Sequence, residues 1–425
     1  MMLQDEIHLV LFILGLPFTL YGAYYMIIGL MGLFKPRVYP HAEPQKKFAA
    51  VIAARNEAGV VGNLIDSLKE QHYPKELYDI YVLPNNCTDN TEEVALAHGA
   101  RTFHCSPKVH SKGGALEEFF DDTFAHNDIY DAFCVFDADN LVQQDFFQAM
   151  NNALCDGVKI GQGYRESKNP KSSWISGCQT IFYYAVNRFI NQARQKVGLS
   201  AALNGTGFMV SAEVLKKDNA GFRTFSLTED IEFTTQNIIK GQDIAWIPDA
   251  RTYDEHPIDF ATSWKQRKRW STGTIQCFSR YTPQLWESFK KTHRFACLDM
   301  IFYLSAPLWQ VCSTIFGFVS LIISMMITIN LQIAPSQELL SLLSAVVGIG
   351  LTIQFTRWLV RHEHHKNSSV KTASYFSFWF FIVSWTIINF DCIIKPLTTW
   401  EPIAHTESFT LSQLKSNLQV ENSSN

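Results

Sequence analysis

Apolar residues follow two rhythms along this chain. Residues 7–34 contain no Asp, Glu, Lys or Arg, and the same is true of residues 300–337, 339–356 and 372–390. Each run is at or near the ~20 residues that cross a bilayer as a helix. Between the first run and the second lies a mixed, charged stretch of roughly domain size, about 250 residues. Within it, short apolar blocks alternate with helical spacing. Phe48–Ala54 is a compact strand-like run, and Val61, Leu64, Ile65 and Leu68 then repeat along one helix face. Residues 78–83 read as a second strand, ending in the turn-rich Pro84-Asn85-Asn86-Cys87-Thr88-Asp89. Thr91–Ala97 suits a short helix, residues 101–105 a third strand, 114–124 another helix and 130–136 a fourth strand, followed at once by Asp137-Ala138-Asp139-Asn140. This alternation predicts an α/β domain with an open, mostly parallel sheet. In such sheets ligands bind beyond the carboxyl ends of the strands, where both polar clusters fall.

The flanks of the apolar runs set an expected topology. Asp5 and Glu6, rather than a basic cluster, precede the first run, and no small-residue cleavage site follows it, so it reads as a retained anchor. Lys35, Arg37, Lys46 and Lys47 come next, and the positive-inside bias places them in the cytoplasm. Arg357, Arg361, Lys366 and Lys371 make the loop between the last two runs basic and cytoplasmic as well. Pro307 is expected to divide the long second run, with its first part along the interface. The expected organisation is a transmembrane anchor at 1–40, a cytosolic domain with an interfacial helix at 41–294, a membrane domain of about three spans at 295–396 and a loosely ordered tail at 397–425. The expected location is the cell membrane, multi-pass, with the polar domain cytoplasmic.

Composition narrows the function classes. The formal charge of −4 over 425 residues gives no general basic field, which argues against nucleic acid as a partner. Nine cysteines without a Cys-x-x-Cys pair read as reduced thiols. A dinucleotide-dependent reductase would need Gly-x-Gly-x-x-Gly after the first strand, where Arg55-Asn56-Glu57 stands, and a Gly-Lys-Ser/Thr phosphate loop is missing. His362-Glu363-His364-His365 is not the zinc His-Glu-x-x-His pattern and reads as a solvated loop.

Three clusters carry chemistry. Asp137 and Asp139 can turn toward one hard cation that bridges to phosphate oxygens, although Asp after a strand is also an ordinary turn residue. In Thr228-Glu229-Asp230 a carboxylate can serve as a general base. Equally, Thr228 can cap the helical pattern that follows and the acids can favour its dipole. In Gln266-Arg267-Lys268-Arg269-Trp270 the cations suit a pyrophosphate leaving group and the indole a sugar face. A basic amphipathic helix on lipid headgroups has the same pattern.

In this order the three clusters resemble those of the family 2 glycosyltransferases, specifically the membrane-integrated processive type that includes cellulose, chitin, hyaluronan and poly-N-acetylglucosamine synthases. The resemblance spans residues 48–270 and extends to the membrane segments. It implies an α/β GT-A fold, a Rossmann-like nucleotide-sugar-binding cytosolic domain joined to α-helical transmembrane segments. Ala53-Ala54-Arg55-Asn56-Glu57 looks like the family's segment after the first strand, which implies nucleotide contacts from Ala53, Arg55 and Glu57. Lys112-Gly113-Gly114-Ala115-Leu116 is similar to its Gly-Lys-x-x-Ala-Leu stretch near the diphosphate, with Ser111 where the glycine usually is. By the same resemblance Asp139, with Asp137, holds Mg2+ or Mn2+, and Asp230 activates the acceptor hydroxyl. Gln266, Arg269 and Trp270 line the acceptor end and contact the diphosphate. Asn204-Gly205-Thr206-Gly207 resembles the small-residue segment that admits the acceptor, placing Gly205, Thr206 and Glu229 there.

Two departures stand out. The family usually has an Asp at the end of the second strand to read base and ribose; here Pro84-Asn85-Asn86 occupies that place, so Asn85 inherits the role, with uridine the better guess. No Phe-x-Val-Thr-x-Lys segment of the cellulose synthase kind follows Trp270, and the tail from Lys395 to Thr406 is closer to poly-N-acetylglucosamine synthase-like proteins. The function implied is inverting transfer from a nucleotide sugar, UDP-linked glucose or N-acetylglucosamine in type, to a growing β-linked polysaccharide. Nonprocessive transfer to a lipid or lipid-linked acceptor is the alternative. A nonenzymatic transporter or scaffold is a weaker one, because the spans are few and no internal repeat is seen. The partners expected are the donor, a glycan or lipid-linked acceptor, membrane lipids and an auxiliary membrane subunit.

Overall fold

A computed structural model describes residues 2–126, 129–216, 221–330, 336–363, 370–397 and 409–414. Among these residues eight strands form one sheet, in the order β3 (Arg101–Thr102), β2 (Tyr78–Pro84), β1 (Phe48–Ala54), β4 (Ala132–Asp137), β7 (Phe208–Ser211), β6 (Ile160–Ser167), β8 (Ala245–Asp254) and β5 (Leu141–Val142). β1 (Phe48–Ala54) lies parallel between β2 (Tyr78–Pro84) and β4 (Ala132–Asp137), and β3 (Arg101–Thr102) extends the β2 edge. Phe48, Ala49, Ala50, Val51 and Ile52 are all fully buried, as a strand covered on both faces requires. β3 is shorter than expected because the chain peels away after Phe103, and Ser106 N–H donates to the Glu118 carboxylate at 2.7 Å instead of to a strand.

Beyond β4 antiparallel pairings enter and the sheet becomes mixed, although four of its seven pairings are parallel, in keeping with the expectation. β7 (Phe208–Ser211) runs antiparallel to β4 and to β6 (Ile160–Ser167). β6 pairs in parallel with β8 (Ala245–Asp254), and β5 (Leu141–Val142) pairs antiparallel with β8. The register of β6 against β8 shifts between Gly163 and Tyr164. A Cβ on Gly163 would lie 2.8 Å from the Gly207 carbonyl oxygen and closer still to that of Ala250. Gly163→Ala is therefore expected to destabilise the protein by about 1–3 kcal/mol, read as a lower unfolding midpoint, because backbone rather than a flexible side chain must move.

Among the described residues, four helices are long and apolar enough to cross a membrane, around Leu9–Leu33, Phe295–Ile327, Leu342–Glu363 and Thr372–Ile394. Pro307 does not divide the second, which is one helix, Phe295–Asn330. Five residues before the proline, the Phe302 carbonyl accepts from the hydroxyls of Tyr21 (3.0 Å), on the first apolar helix, and Ser305 (2.9 Å), on its own.

A long helix, Phe260–Thr292, here the interface helix, joins the α/β domain to these candidate membrane helices. Asp259 caps it by accepting from Thr262 N–H at 2.8 Å. Its Arg267 is fully buried, donating to the Phe381 carbonyl (3.0 Å) and Ser384 Oγ (2.8 Å) of helix Thr372–Ile394, and Lys268 pairs with Asp391 at 2.5 Å. Glu363 is not solvated. It is buried at the end of helix Ser336–Glu363, where it accepts from Tyr164 OH at 2.8 Å and pairs with Arg188. His364 and His365 lie outside the described residues, as do 398–408 and 415–425 of the tail. Within 409–414 the tail is docked, since Leu411 and Leu414 are buried against Leu141.

Candidate active site

The carboxyl ends of β1, β2 and β4 open onto one cleft. At the end of β1 the Ala54 carbonyl accepts from Asn85 N–H at 2.9 Å. Asn56 adopts left-handed backbone (φ +59°), which asparagine tolerates, and its side-chain oxygen accepts from Thr88 N–H at 2.7 Å. Glu57 N–H donates to Thr91 Oγ1 at 2.9 Å. Ala53, Arg55, Glu57 and Asn85 are thus brought to one rim. Asn85 itself is buried: its amide donates to the Ser111 carbonyl (3.3 Å) and its oxygen accepts from Asn86 (2.8 Å), so the side chain joins the two loops.

Asp137 closes β4. Lys112, the first residue of helix Lys112–His126, donates to Asp137 Oδ1 at 2.5 Å and to the Gly205 carbonyl at 2.6 Å, and lies 3.6 Å from Glu229 Oε1. Burial alone would lower the Lys112 pKa, but the carboxylates of Asp137 and Glu229 outweigh it and the ammonium is held charged. Burial likewise opposes ionisation of Asp137, yet Lys112, with Arg165 and Arg269 beyond it, brings the carboxyl below its ordinary value. Asp139 is buried, and its Oδ2 accepts from Glu255 N–H at 3.3 Å. Among the described residues no three His, Cys, Asp or Glu side chains form a ready-made metal cage. Two carboxylates two residues apart, one of them half-exposed to the cleft, fit Mg2+ or Mn2+, which retain water and complete their shell with a substrate's phosphates.

Thr228 precedes helix Glu229–Ile239, but its side chain makes no cap hydrogen bond and its buried hydroxyl has no hydrogen-bond partner among the described residues, which corrects the capping expectation. Instead the interface helix packs directly on it: a Cβ on Gly273 would stand 2.6 Å from Thr228 Cγ2. The first-turn acid that holds the preceding loop is Glu232, which accepts from Phe225 N–H (2.7 Å), Ser226 N–H (2.6 Å) and Tyr281 OH (2.6 Å). Asp230 Oδ1 accepts from Ile231 N–H at 2.8 Å. Its carboxyl is pushed up to about 7 by burial first and by Glu229 second, against Lys112 and Arg269. A pKa near neutrality suits a group that must take up a proton.

Gly205 lies beneath Asp230 with φ +87°, backbone that favours glycine. Thr206 is fully buried under this floor; its hydroxyl bonds Asn140 and accepts from Asp137 N–H at 3.0 Å, so it braces the loop rather than facing an acceptor. On the interface helix, Gln266 accepts from Gln179 at 2.6 Å and Arg269 donates to the Leu227 carbonyl at 2.9 Å. Trp270 stands between Tyr183 and Trp385, with ring centroids 6.1 Å from each. Arg267 and Lys268 turn away toward the membrane helices, so one pentapeptide serves both the cleft and the interface.

Several residues of the site were not anticipated. Arg165 on β6 pairs with Asp254 at the end of β8, and Asp254 accepts from Asn140 at 3.0 Å. Burial and the neighbouring Asp139 raise Asp254 to about 6 against the pull of Arg165. Tyr183 stacks on His256 with ring centroids 5.3 Å apart, and Lys168 donates to the Asp139 carbonyl at 2.6 Å. The available signal was the acid cluster Asp254-Glu255-His256 at the end of a strand, the same placement that draws attention to Asp137 and Asp139.

The curled mixed sheet, with loops at its carboxyl ends and a carboxylate pair after β4, defines the GT-A class of nucleotide-sugar-dependent transferases. Residues 44–273 match the family described as glycosyltransferase like family 2. The chain belongs to that family. It is 24% identical over 271 residues to the "Probable glycosyltransferase YdaM" of Bacillus subtilis, covering 60% of this chain and 61% of the relative. It is 26% identical over 283 residues to β-monoglucosyldiacylglycerol synthase of Nostoc sp., covering 64% and 58%. It is also 26% identical over 259 residues to poly-β-1,6-N-acetyl-D-glucosamine synthase of Staphylococcus aureus, covering 59% of each. The chain spans about three fifths of the length of these curated relatives. Among solved structures it is similar to a mannosyltransferase from Pyrobaculum calidifontis in complex with GDP-mannose and Mn2+, at a TM-score of 0.61 and 15% identity, covering 92% of this chain and 99% of that one.

Proposed function

We propose that this protein is a membrane-bound inverting glycosyltransferase that moves a sugar from a nucleotide sugar, UDP-linked glucose or N-acetylglucosamine in type, to a growing β-linked glycan. The observation that carries the reading is the convergence of Lys112, Asp137, Glu229, Asp230 and Arg269 on one cleft floored by Gly205. The acceptor hydroxyl attacks the anomeric carbon, forming the new C–O bond as the bond to the diphosphate oxygen breaks. The electron pair leaves with the nucleoside diphosphate, and the hydroxyl proton passes to Asp230. No covalent nucleophile is required. Lys112 and Arg269 hold positive charge beside the leaving group, and the faces of Trp270 and Tyr183 offer sugar rings an apolar wall. Asp137 and Asp139 would hold a divalent cation, whose charge would offset that of the departing diphosphate.

Lipid as acceptor is the second reading. A cavity of about 740 Å3 lies between Phe225, Gln276 and Arg280 on the side of the cleft loop and interface helix and Cys392 and Leu397 at the end of the last membrane helix. It is amphiphilic and sits where a lipid headgroup would meet the domain. The relative from Nostoc is named for a glucosyldiacylglycerol product, the one from Staphylococcus for a polymer. On both readings the domain lies on the cytoplasmic side, at residues 41–294 between the anchor and the C-terminal spans.

The test is nucleoside diphosphate release by protein purified into lipid, with Mg2+ or Mn2+, across UDP- and GDP-sugars. Turnover of one donor supports the reading, product size separates glycan from glycolipid, and silence with membrane lipids and native membranes supplied rejects it. Asp139→Ala is expected to lower turnover by more than about a hundredfold. Chelation is expected to abolish wild-type turnover and added Mn2+ to restore it; full activity in chelator would reject the metal.

A further inference from the structure

Strand alternation along β6 sends Tyr164 and Glu166 to one face, where they meet Glu363 and Tyr184, and Arg165 to the other. There Arg165 Nε pairs with the buried Asp254, Nη1 donates to the Asn204 carbonyl, and the guanidinium stands 4.2 Å over the Tyr183 ring. Asp254 is itself held by Asn140, whose oxygen bonds Thr206. A guanidinium fixed by an ion pair, a carbonyl and an aromatic face is already aimed before any ligand arrives.

It is aimed at the space over Gly205. An atom placed where a side chain of Gly205 would begin lies 3.6 Å from Asp230 Oδ2 and 3.8 Å from Arg165 Nη1, and among the described residues nothing else outside the adjoining chain comes within 4 Å. Asp230 Oδ2 and Arg165 Nη1 therefore both border the position over Gly205. Lys112 donates to Asp137 and the Gly205 carbonyl, Arg269 to the Leu227 carbonyl and Arg165 to the Asn204 carbonyl, and of these three cations only Arg165 stands within 4 Å of that position.

We propose that Arg165 is a specificity-determining residue: its guanidinium hydrogen-bonds an oxygen of the transferred sugar over Gly205, opposite Asp230, and so helps select the donor. This rests on the glycosyltransferase reading. Asp254 is a positioning residue that orients Arg165. The test is calorimetric binding, with Mn2+ and no acceptor, of UDP, GDP and dTDP and of UDP-glucose, UDP-N-acetylglucosamine and GDP-mannose to protein in lipid nanodiscs. Wild type is compared with Arg165→Lys and with the double variant Arg165→Gln/Asp254→Asn, which removes both charges and leaves no buried carboxylate unpaired. For the donor that wild type prefers, affinity relative to its free diphosphate is expected to weaken about ten- to a hundredfold in both variants. Binding of the free diphosphate is expected to change less than about twofold. An unchanged ratio, or an equal loss for diphosphate and sugar nucleotide, would overturn the assignment of Arg165 alone. Failure of wild type to bind any of these nucleotides would overturn the glycosyltransferase reading and this inference together.

Discussion

Asp230→Asn is expected to lower sugar transfer by about 10²- to 10⁴-fold while nucleotide binding persists. The substitution keeps the shape and leaves an amide oxygen for Ile231 N–H, but it removes the group that takes the acceptor's proton. The pH dependence follows from the same carboxyl. Burial and Glu229 push it up to about 7, so it is protonated and idle below that pH and ionised above it. Wild-type activity is thus expected to rise through neutral pH. Lys112 and Arg269 oppose the upward shift, and Tyr183, Tyr303 and Cys277 lie within the field of the same carboxylate. Glu229→Gln removes the like charge, eases ionisation and is expected to move the rising limb to lower pH. Initial rates from pH 5 to 9 for the three proteins check this. An Asp230→Asn enzyme as fast as wild type, or a limb that stays in place in Glu229→Gln, would remove Asp230 from the role of base.

The first half of the sheet was legible because β1 and β4 are buried on both faces and read as apolar runs, while β2 alternates buried and half-buried positions. Helix Thr91–Ala97 has the bounds its pattern predicts. The second half was not legible. β6 contains Gly161 and Gly163, where close backbone approach takes the place of side chains, and β5 and β7 are too short for alternation to show. The acidic and basic clusters could be named from sequence because each stands next to an element end. What sequence left open was their alternatives: Thr228 is not a side-chain cap, and Gln266-Arg267-Lys268-Arg269-Trp270 is divided residue by residue between cleft and membrane helix. Arg165 escaped notice because its partner, Asp254, is far away in the chain and adjacent only across the β6–β8 pairing.

A separation of both charges is expected to expose how the domain is fastened to its spans. Arg194 and Asp299, 2% and 4% exposed, form a 2.7 Å ion pair where helix Met2–Leu30, helix Phe295–Asn330 and the domain meet. Tyr24 OH donates to Asp299 Oδ1 at 2.7 Å, and the guanidinium lies between the rings of Tyr25 (5.6 Å) and Tyr303 (5.2 Å). Both terminal nitrogens of Arg194 are buried without a hydrogen-bond partner among the described residues. Asp299→Ala then leaves a guanidinium with no countercharge in a dry site, and Arg194→Ala leaves a carboxylate supported by one hydroxyl. Either is expected to cost about 3–5 kcal/mol. The pair is a poor source of net stability, however, because desolvation of two ions offsets their attraction. Arg194→Leu/Asp299→Leu is therefore expected to fall within about 1 kcal/mol of wild type, or above it. Unfolding midpoints at one scan rate in one lipid, for the single and paired variants, decide the matter. If the paired variant were the least stable, the ion pair would be contributing net stability at this junction; if the single variants were harmless, solvent would be reaching charges that the packing of three tyrosines encloses.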